Sequence, residues 1–369
     1  MMKYTAALLY GPHDIRLEEM EMPPVQPGEV LIRMRAATLC PTDVKKYRGI
    51  NPKVADALKT HGPYVLGHEG GGDVVETGHD VTTVKPGDRV AVQPIISCGE
   101  CYYCQHDMPN LCPQMLGIGA AAGDFGECVK LYHKRGIGGC FAEYLKAPES
   151  CVIKVPKDLD YEAASMIEPV SDVVHSVSLA NTGAPLRKRV VVTGLGPMGV
   201  THVMVAKAFG AESVIGLDPI QERRNLAMDL GANVVIDPSQ DNPVDRVLES
   251  TEGTGADIVF VTAGGKAQVR CVTEAIDMVR KGGAVVLFAS SAGDSSLCLD
   301  HNVLHYKMVQ VIGVVGFRSQ DAEKTINLMK NAQINLDAVR GPVLPLSDAE
   351  KGFSIYGSPG VMKVGLDIN

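Results

Sequence analysis

Four cysteines stand close together in CGECYYCQHDMPNLC, at positions 98, 101, 104 and 112, spaced C-x2-C-x2-C-x7-C. Four thiolates close a tetrahedral shell around zinc, and a closed shell leaves no position for a substrate. Cys98, Cys101, Cys104 and Cys112 are therefore expected to hold a structural ion, a clip rather than a reaction centre. An iron–sulfur cluster also takes four cysteines, but no second redox feature accompanies these. Metal chemistry needs a ligand set with a vacancy, and three short stretches offer one. LCPTD supplies Cys40, GHEGGG supplies His68 and Glu69, and MIEPV supplies Glu168. A thiolate, an imidazole and a carboxylate, completed by water or substrate, form a zinc site able to polarise an alcohol oxygen. Any one of them alone reads as a packed residue; the weight rests on the set.

A further constellation fits a dinucleotide. TGLGPMG, residues 193–199, follows the apolar run VVV and opens a predicted helix. Gly194, Gly196 and Gly199 fit G-x-G-x-x-G, with Leu195, Pro197 and Met198 between them. Gly194 permits the tight turn, Gly196 lets backbone N–H groups approach a pyrophosphate, and Gly199 allows close helix packing. The helix N-terminus then favours the anion. Asp218, in VIGLDP, closes the next strand at the distance where a ribose-binding acid is expected. Its carboxylate can accept from a 2′-hydroxyl and would repel a 2′-phosphate, which favours NAD over NADP. Arg223 and Arg224 follow, either as surface helix residues or as a softening of that discrimination.

Two textures of chain carry these residues. Up to about residue 160 the runs TAALLY, EVLIRMRAATL, GGDVVETG, DRVAVQPII, FAEYLKAP and CVIKVP read as short strands between turns, a barrel-like β lobe. YEAASMIEPVSDVVHSVSLANTG then has helical spacing. Apolar strands alternate with helices predicted over 198–209 and 221–230, through SVIGLD, NVVID, ADIVFVTAG and KGGAVVLFA. That alternation indicates βαβ units and a parallel sheet. The chain ends on a strand-like VMKVGLDI. GIGAAAGDFGE, residues 117–127, reads as a flexible surface loop, with a cover over a site or a subunit contact as the sharper alternative.

The formal net charge of −8 argues against nucleic acid or an anionic membrane as partner. No apolar run approaches the ~18 residues of a spanning helix. The start, MMKYTAALLYGPHD, lacks a signal-peptide pattern, so a cytoplasmic protein is expected. In a reducing compartment clustered cysteines read as metal ligands rather than disulfides.

LCPTD, GHEGGGDVVETG, KPGDRV, the four-cysteine lobe, GGCFAEY, MIEP and TGLGPMG, in this order, resemble the zinc-dependent medium-chain alcohol dehydrogenases over nearly the whole chain. The resemblance is strongest to the polyol branch typified by sorbitol (L-iditol 2-) dehydrogenase. It implies an α/β architecture: a GroES-like β-barrel catalytic domain over 1–165 and 310–369, carrying a structural-zinc lobe at 95–115, and a doubly wound Rossmann domain over 166–309. It implies two zinc ions per subunit, NAD, a small alcohol or ketone substrate and a homodimer or homotetramer, with the cofactor in a cleft between the lobes. Cys40, His68 and Glu69 would ligate the catalytic zinc, with Glu168 in the fourth position, directly or through water. Asp43 would orient His68, Thr42 would meet the substrate hydroxyl, and Lys363 would pair with Glu69 or else lie solvated at a strand end.

Three departures stand out. Lys45, followed by Lys46, occupies the place where many relatives carry a relay histidine. Pro41 replaces the usual glycine. The stretch from Cys112 to Gly139 is longer than usual and contains Cys128, His133, Lys134 and Arg135. Cys128, Cys140, Cys151, Cys271 and Cys298 read as structural or incidental. Phe317 and Arg318 read as a surface turn or as lining for a cleft. An L-threonine-type amino-alcohol dehydrogenase shares almost all these motifs. A zinc-free NADPH-dependent reductase and a non-enzymatic zinc-ribbon module are opposed by the ligand set and by the Gly194–Asp218 unit respectively.

Overall fold

A computed structural model describes residues 2–181, 188–290 and 296–369. The chain divides into two compact units, Met1–Pro169 with Arg340–Asn369, and Val170–Val339.

The first unit is built around the strand Glu29–Thr38, whose sequence EVLIRMRAAT is buried along most of its length. It pairs antiparallel with Glu69–Thr77 along one edge. Along the other edge it meets Tyr144–Pro148 over its first half and Gly365–Asp367 over its second. The register sets Thr38 opposite Glu69 on one side and opposite Gly365 on the other. Arg89–Val92 and Val152–Lys154 extend the sheet beyond Glu69–Thr77, and Val343–Pro345 extends it beyond Gly365–Asp367. The glycines of GHEGGG are what this crowding requires: a Cβ on Gly72 would lie 2.2 Å from the carbonyl oxygen of Arg33.

The stretch read as a flexible loop is neither loose nor a loop throughout. Ile118, Gly119 and Ala120 are buried in a single 3-10 turn, and Gly119 sits so close to Gly67 that a Cβ there would meet the Gly67 carbonyl oxygen at 1.9 Å. A helix then runs Phe125–Arg135, capped by Asp124, whose carboxylate accepts from the Glu127 N–H at 3.1 Å, and ended by Gly136 at φ 73°. It packs on the helix Pro52–His61, and its Phe125 and Tyr132 rings meet Tyr64 edge-on at 5.7 and 5.5 Å. The many small residues of GIGAAAG suggested mobility; here they allow close packing.

The second unit holds a six-stranded sheet in the spatial order Val234–Ile236, Ser213–Leu217, Arg189–Thr193, Ala256–Val261, Val279–Leu287, Gln310–Gly313, every pair parallel. Counted along the chain this is the 3-2-1-4-5-6 order of a doubly wound dinucleotide fold. Central strands buried on both faces need continuous apolar runs, as in RVVVT and ADIVFV. The helices expected at 198–209 and 221–230 form as Pro197–Ala208 and Gln221–Asp229. The return to the first unit falls at Arg340, not at 310. The difference arises because Gln310–Gly313 is the sheet's sixth strand, and the helix Ser319–Lys330 follows it in the same unit. As a short, exposed edge strand it lacks the apolar run that marked its neighbours. Among the described residues no helix is long and apolar enough to cross a membrane.

Candidate metal centres and dinucleotide turn

The four-cysteine lobe gathers as its spacing predicts. All four sulfurs lie within 4.8 Å of one another. Cys101 to Cys104 is 3.5 Å, Cys98 to Cys112 is 3.6 Å and Cys98 to Cys104 is 3.9 Å. A tetrahedron with Zn–S bonds of about 2.3 Å has edges of about 3.8 Å, so the thiols stand where one zinc ion needs them. Every described cysteine is free of a disulfide. Backbone N–H groups of Glu100 and Cys101 lower the Cys98 thiol to about 7, which favours the thiolate that a metal requires.

The second centre forms at the junction of a strand and a short helix. Cys40 has extended backbone and caps the helix Pro41–Tyr47, with Pro41 fitting the first helical position. Asp43 bonds back to the Cys40 N–H at 3.1 Å through one carboxylate oxygen. Its other oxygen stands 3.3 Å from Nδ1 of His68. Both side chains are buried, and among the described residues neither Asp43 Oδ1 nor His68 Nδ1 has a further partner. On the far side of the ring, Nε2 lies 3.5 Å from the Thr42 hydroxyl. Ligand atoms of Cys40, His68 and Glu69 lie within 4.8 Å of one another. A soft thiolate, a nitrogen and a carboxylate in that space suit zinc, and an Asp on the ring's opposite nitrogen suits an oriented ligand. Burial disfavours the imidazolium, but Asp43 first and the Cys40 thiolate second outweigh it, so the proton affinity of His68 is raised.

Glu69 does not stand alone. One of its oxygens accepts from the Thr38 hydroxyl and from the Lys363 ammonium. Lys363 is buried at 2% exposure and also donates to the Leu39 carbonyl at 3.3 Å, so it is not a solvated strand-end residue. Burial pulls its proton affinity down; the Glu69 and Cys40 charges reverse this and raise it. Glu168 lies buried in the first turn of the helix Ile167–Ala180, outside the Cys40–His68–Glu69 cluster, and its charge reaches both Lys363 and Cys140. Lys45 and Lys46 are half-buried on the helix Pro41–Tyr47, with the Lys46 ammonium 3.5 Å from the Thr42 carbonyl oxygen.

Two residues near this centre, Thr38 and Tyr356, had no warning in the motifs, and Cys140 stood in GGCFAEY without a role at the site. Thr38 is placed by strand register alone. Cys140, read as structural or incidental, is fully buried, and burial followed by Asp43, Glu69 and Glu168 pushes its thiol up. Tyr356 likewise has its phenol pushed up by burial, then by Cys40, Glu69 and Asp43. Strand register brings Thr38 to Glu69, and the chain's return after the second unit brings Tyr356 to the same place. Phe317, by contrast, is buried at 1%, and the Arg318 guanidinium meets Asp321 at 3.2 Å, so this pair closes a helix start rather than an exposed turn.

In the second unit the glycine turn follows Arg189–Thr193 and leads into the helix Pro197–Ala208. Gly194 takes φ 90°, and a Cβ on Gly199 would meet the Gly194 carbonyl oxygen at 1.9 Å. Nothing lies within 4 Å of a Cβ on Gly196, the glycine assigned to ligand approach. Asp218 accepts from the backbone N–H of Leu195 at 2.8 Å and of Ile220 at 2.9 Å, tying the turn to the strand end. Arg223 stands 3.5 Å from its carboxylate, whereas Arg224 turns to the Asp218 carbonyl at 2.7 Å and to Asp237 at 3.0 Å.

A GroES-like lobe and a Rossmann sheet in one chain, with clustered thiols and a Cys–His–Glu set, define a class of oxidoreductase. Comparison with known proteins agrees. The family models for the alcohol dehydrogenase GroES-like domain and for zinc-binding dehydrogenases match residues 26–157 and 197–331. L-threonine 3-dehydrogenase of Bacillus licheniformis is 32% identical over 92% of this chain and 91% of its own. Among solved structures, 2R,3R-butanediol dehydrogenase from Bacillus subtilis superposes with a TM-score of 0.82 at 27% identity, over 99% of this chain and 100% of that one. A Sinorhizobium meliloti 1021 chain solved with NADP gives 0.84 at 25% identity, covering 100% of both. The chain belongs to the zinc-dependent medium-chain dehydrogenase family.

Proposed function

We propose that this chain is an NAD-dependent dehydrogenase of a secondary alcohol, a polyol or sugar-derived hydroxyl, which in reverse reduces the ketone. The observation that carries this reading is the cluster of Cys40, His68 and Glu69 with the Thr42 hydroxyl 3.5 Å from the imidazole. Cys40, His68 and Glu69 would hold the catalytic zinc, with Glu168 approaching as a fourth group, and Cys98, Cys101, Cys104 and Cys112 would hold the structural one. When bound, the catalytic zinc supplies a Lewis acid that lowers the proton affinity of an alcohol oxygen, and the nicotinamide accepts the hydride.

The chain's own residues do the rest. Thr42 offers the first hydrogen-bond partner to the substrate hydroxyl and takes up its proton's hydrogen bond as the bond to oxygen weakens. Asp43 fixes the His68 ring so that Nε2 faces the Thr42 side. Thr38 and Lys363 hold the Glu69 carboxylate and balance its charge, so its proximity to the metal is set by competition with a buried ammonium. The alcohol loses one proton and one hydride and leaves as a ketone. Lys45 stands where a relay histidine is common, so the proton leaves through water with Glu168 or through Lys45. Asp218 sets the preference for NAD.

A second reading, oxidation of the hydroxyl of an amino alcohol such as L-threonine, is favoured by the Bacillus licheniformis relative. Following NADH absorbance with sorbitol, xylitol, inositols and L-threonine in parallel separates the two. Cys40→Ser is expected to abolish turnover on the active substrate while NAD affinity, read by fluorescence titration, stays nearly unchanged. Retained turnover would overturn the assignment of the centre.

A further inference from the structure

Beyond this centre, the first unit has an open cleft of about 490 Å³ on the side of the additional helix, lined by Pro23, Pro24, Gln26, Pro27, Lys134, Arg135 and Lys146. That volume falls in the range of small-molecule sites. Its wall is the segment MPPVQP, where three prolines fix the backbone and supply no N–H of their own. The segment is locked to the helix end: a Cβ on Gly136 would meet Pro23 Cδ at 2.8 Å.

Charge decides what the cleft suits. The Lys146 ammonium is buried at 1% exposure, 3.2 Å from both the Pro24 carbonyl and Glu29 Oε2, so two of its three donors are engaged. Arg135 reaches the other Glu29 oxygen at 2.5 Å. Lys134 is exposed, with no ion pair among the described residues. Two cations therefore share one buried carboxylate, and with Lys134 on the same lining the three exceed the charge of Glu29 by about +2. Neutralising Glu29 requires only one of them. The last turn of the helix Phe125–Arg135 accounts for part of the remainder through its dipole, but not for the buried Lys146, which comes from the strand Tyr144–Pro148.

We propose that this cleft binds a small molecule carrying two or more negative charges, held by Lys134, Arg135 and Lys146 against the proline wall. The site depends on the lengthened stretch between Cys112 and Gly139, which supplies two of the three cations.

Calorimetric titration of the full chain with sodium pyrophosphate, and separately with sodium citrate, tests this against sodium chloride at equal ionic strength. Saturable binding is expected for at least one polyanion. Binding of pyrophosphate alone assigns phosphate esters as the ligands; binding of citrate as well extends the class to polycarboxylates. Lys134→Ala, which breaks no ion pair, is expected to weaken binding about fivefold with an unchanged melting temperature, and Lys134→Ala/Arg135→Ala to weaken it further. Absence of saturable binding at millimolar concentrations, or equal affinity in the wild type and Lys134→Ala, would overturn the proposal.

Discussion

Asp218 shows how much one side chain is asked to do. Its two oxygens hold the N–H groups of Leu195 and Ile220, so the carboxylate both shapes the glycine turn and presents negative charge at the strand end. Arg223 at 3.5 Å offsets part of that charge. Asp218→Ala should therefore raise the ratio of kcat/KM with NADP to that with NAD, by about tenfold or more, since one like-charge repulsion is removed. Steady-state assays with both cofactors read the ratio, and an unchanged value would mean that the acid only braces the turn. The residues of this site were legible because motif chemistry is local: glycines, an acid and cysteines at fixed intervals announce themselves. Thr38, Cys140 and Tyr356 were not, because strand register brings Thr38 to Glu69 and the fold alone brings Cys140 and Tyr356 to the same carboxylate.

Among the elements, the four-cysteine lobe has little regular structure, only the short helix Tyr102–Gln105 and a 3-10 turn at Pro109–Leu111. Tyr102 is exposed at 65%, so apolar burial contributes little to holding the lobe. Its order would then rest on an ion held by the four cysteines. Cys101→Ser should lower the melting temperature by about 5 °C or more and halve the zinc content measured by elemental analysis, while NAD binding persists. An unchanged melting temperature would deny the lobe a structural ion. The helix Phe125–Arg135 illustrates the opposite case. Its cap, Asp124, and its end, Gly136, carry ordinary signals, but the glycine-rich approach hid them, and the stretch looked like a loop because small residues suit both slack chain and tight packing.

For the whole molecule, the alternation of strand and helix made the parallel sheet readable, while the boundary at Arg340 was not, because an edge strand has no hydrophobic imperative. The sheet's stability carries a pH signature. His202, fully buried on the helix Pro197–Ala208, donates from Nδ1 to the Met198 carbonyl at 2.7 Å and lies 2.8 Å from the Ser176 hydroxyl. Burial depresses its pKa from 6.5 to about 4. The unfolded chain therefore takes up a proton that the folded one refuses. This contribution is complete above pH 6.5 and is lost as pH falls towards 4, a loss of about 3 kcal/mol for one group. Unfolding midpoints across that range should fall more steeply for the wild type than for His202→Gln; parallel curves would contradict the burial argument.

Lys363 and the strand Gly365–Asp367 complete the metal-bearing unit, yet they follow the entire 170–339 insertion in the polypeptide. A ribosome making this protein thus delivers Cys40, His68 and Glu69 long before their buried counter-ion. The nascent amino-terminal portion must wait, its central sheet missing two strands and its carboxylate unbalanced, while the contiguous second unit has every strand it needs to fold first.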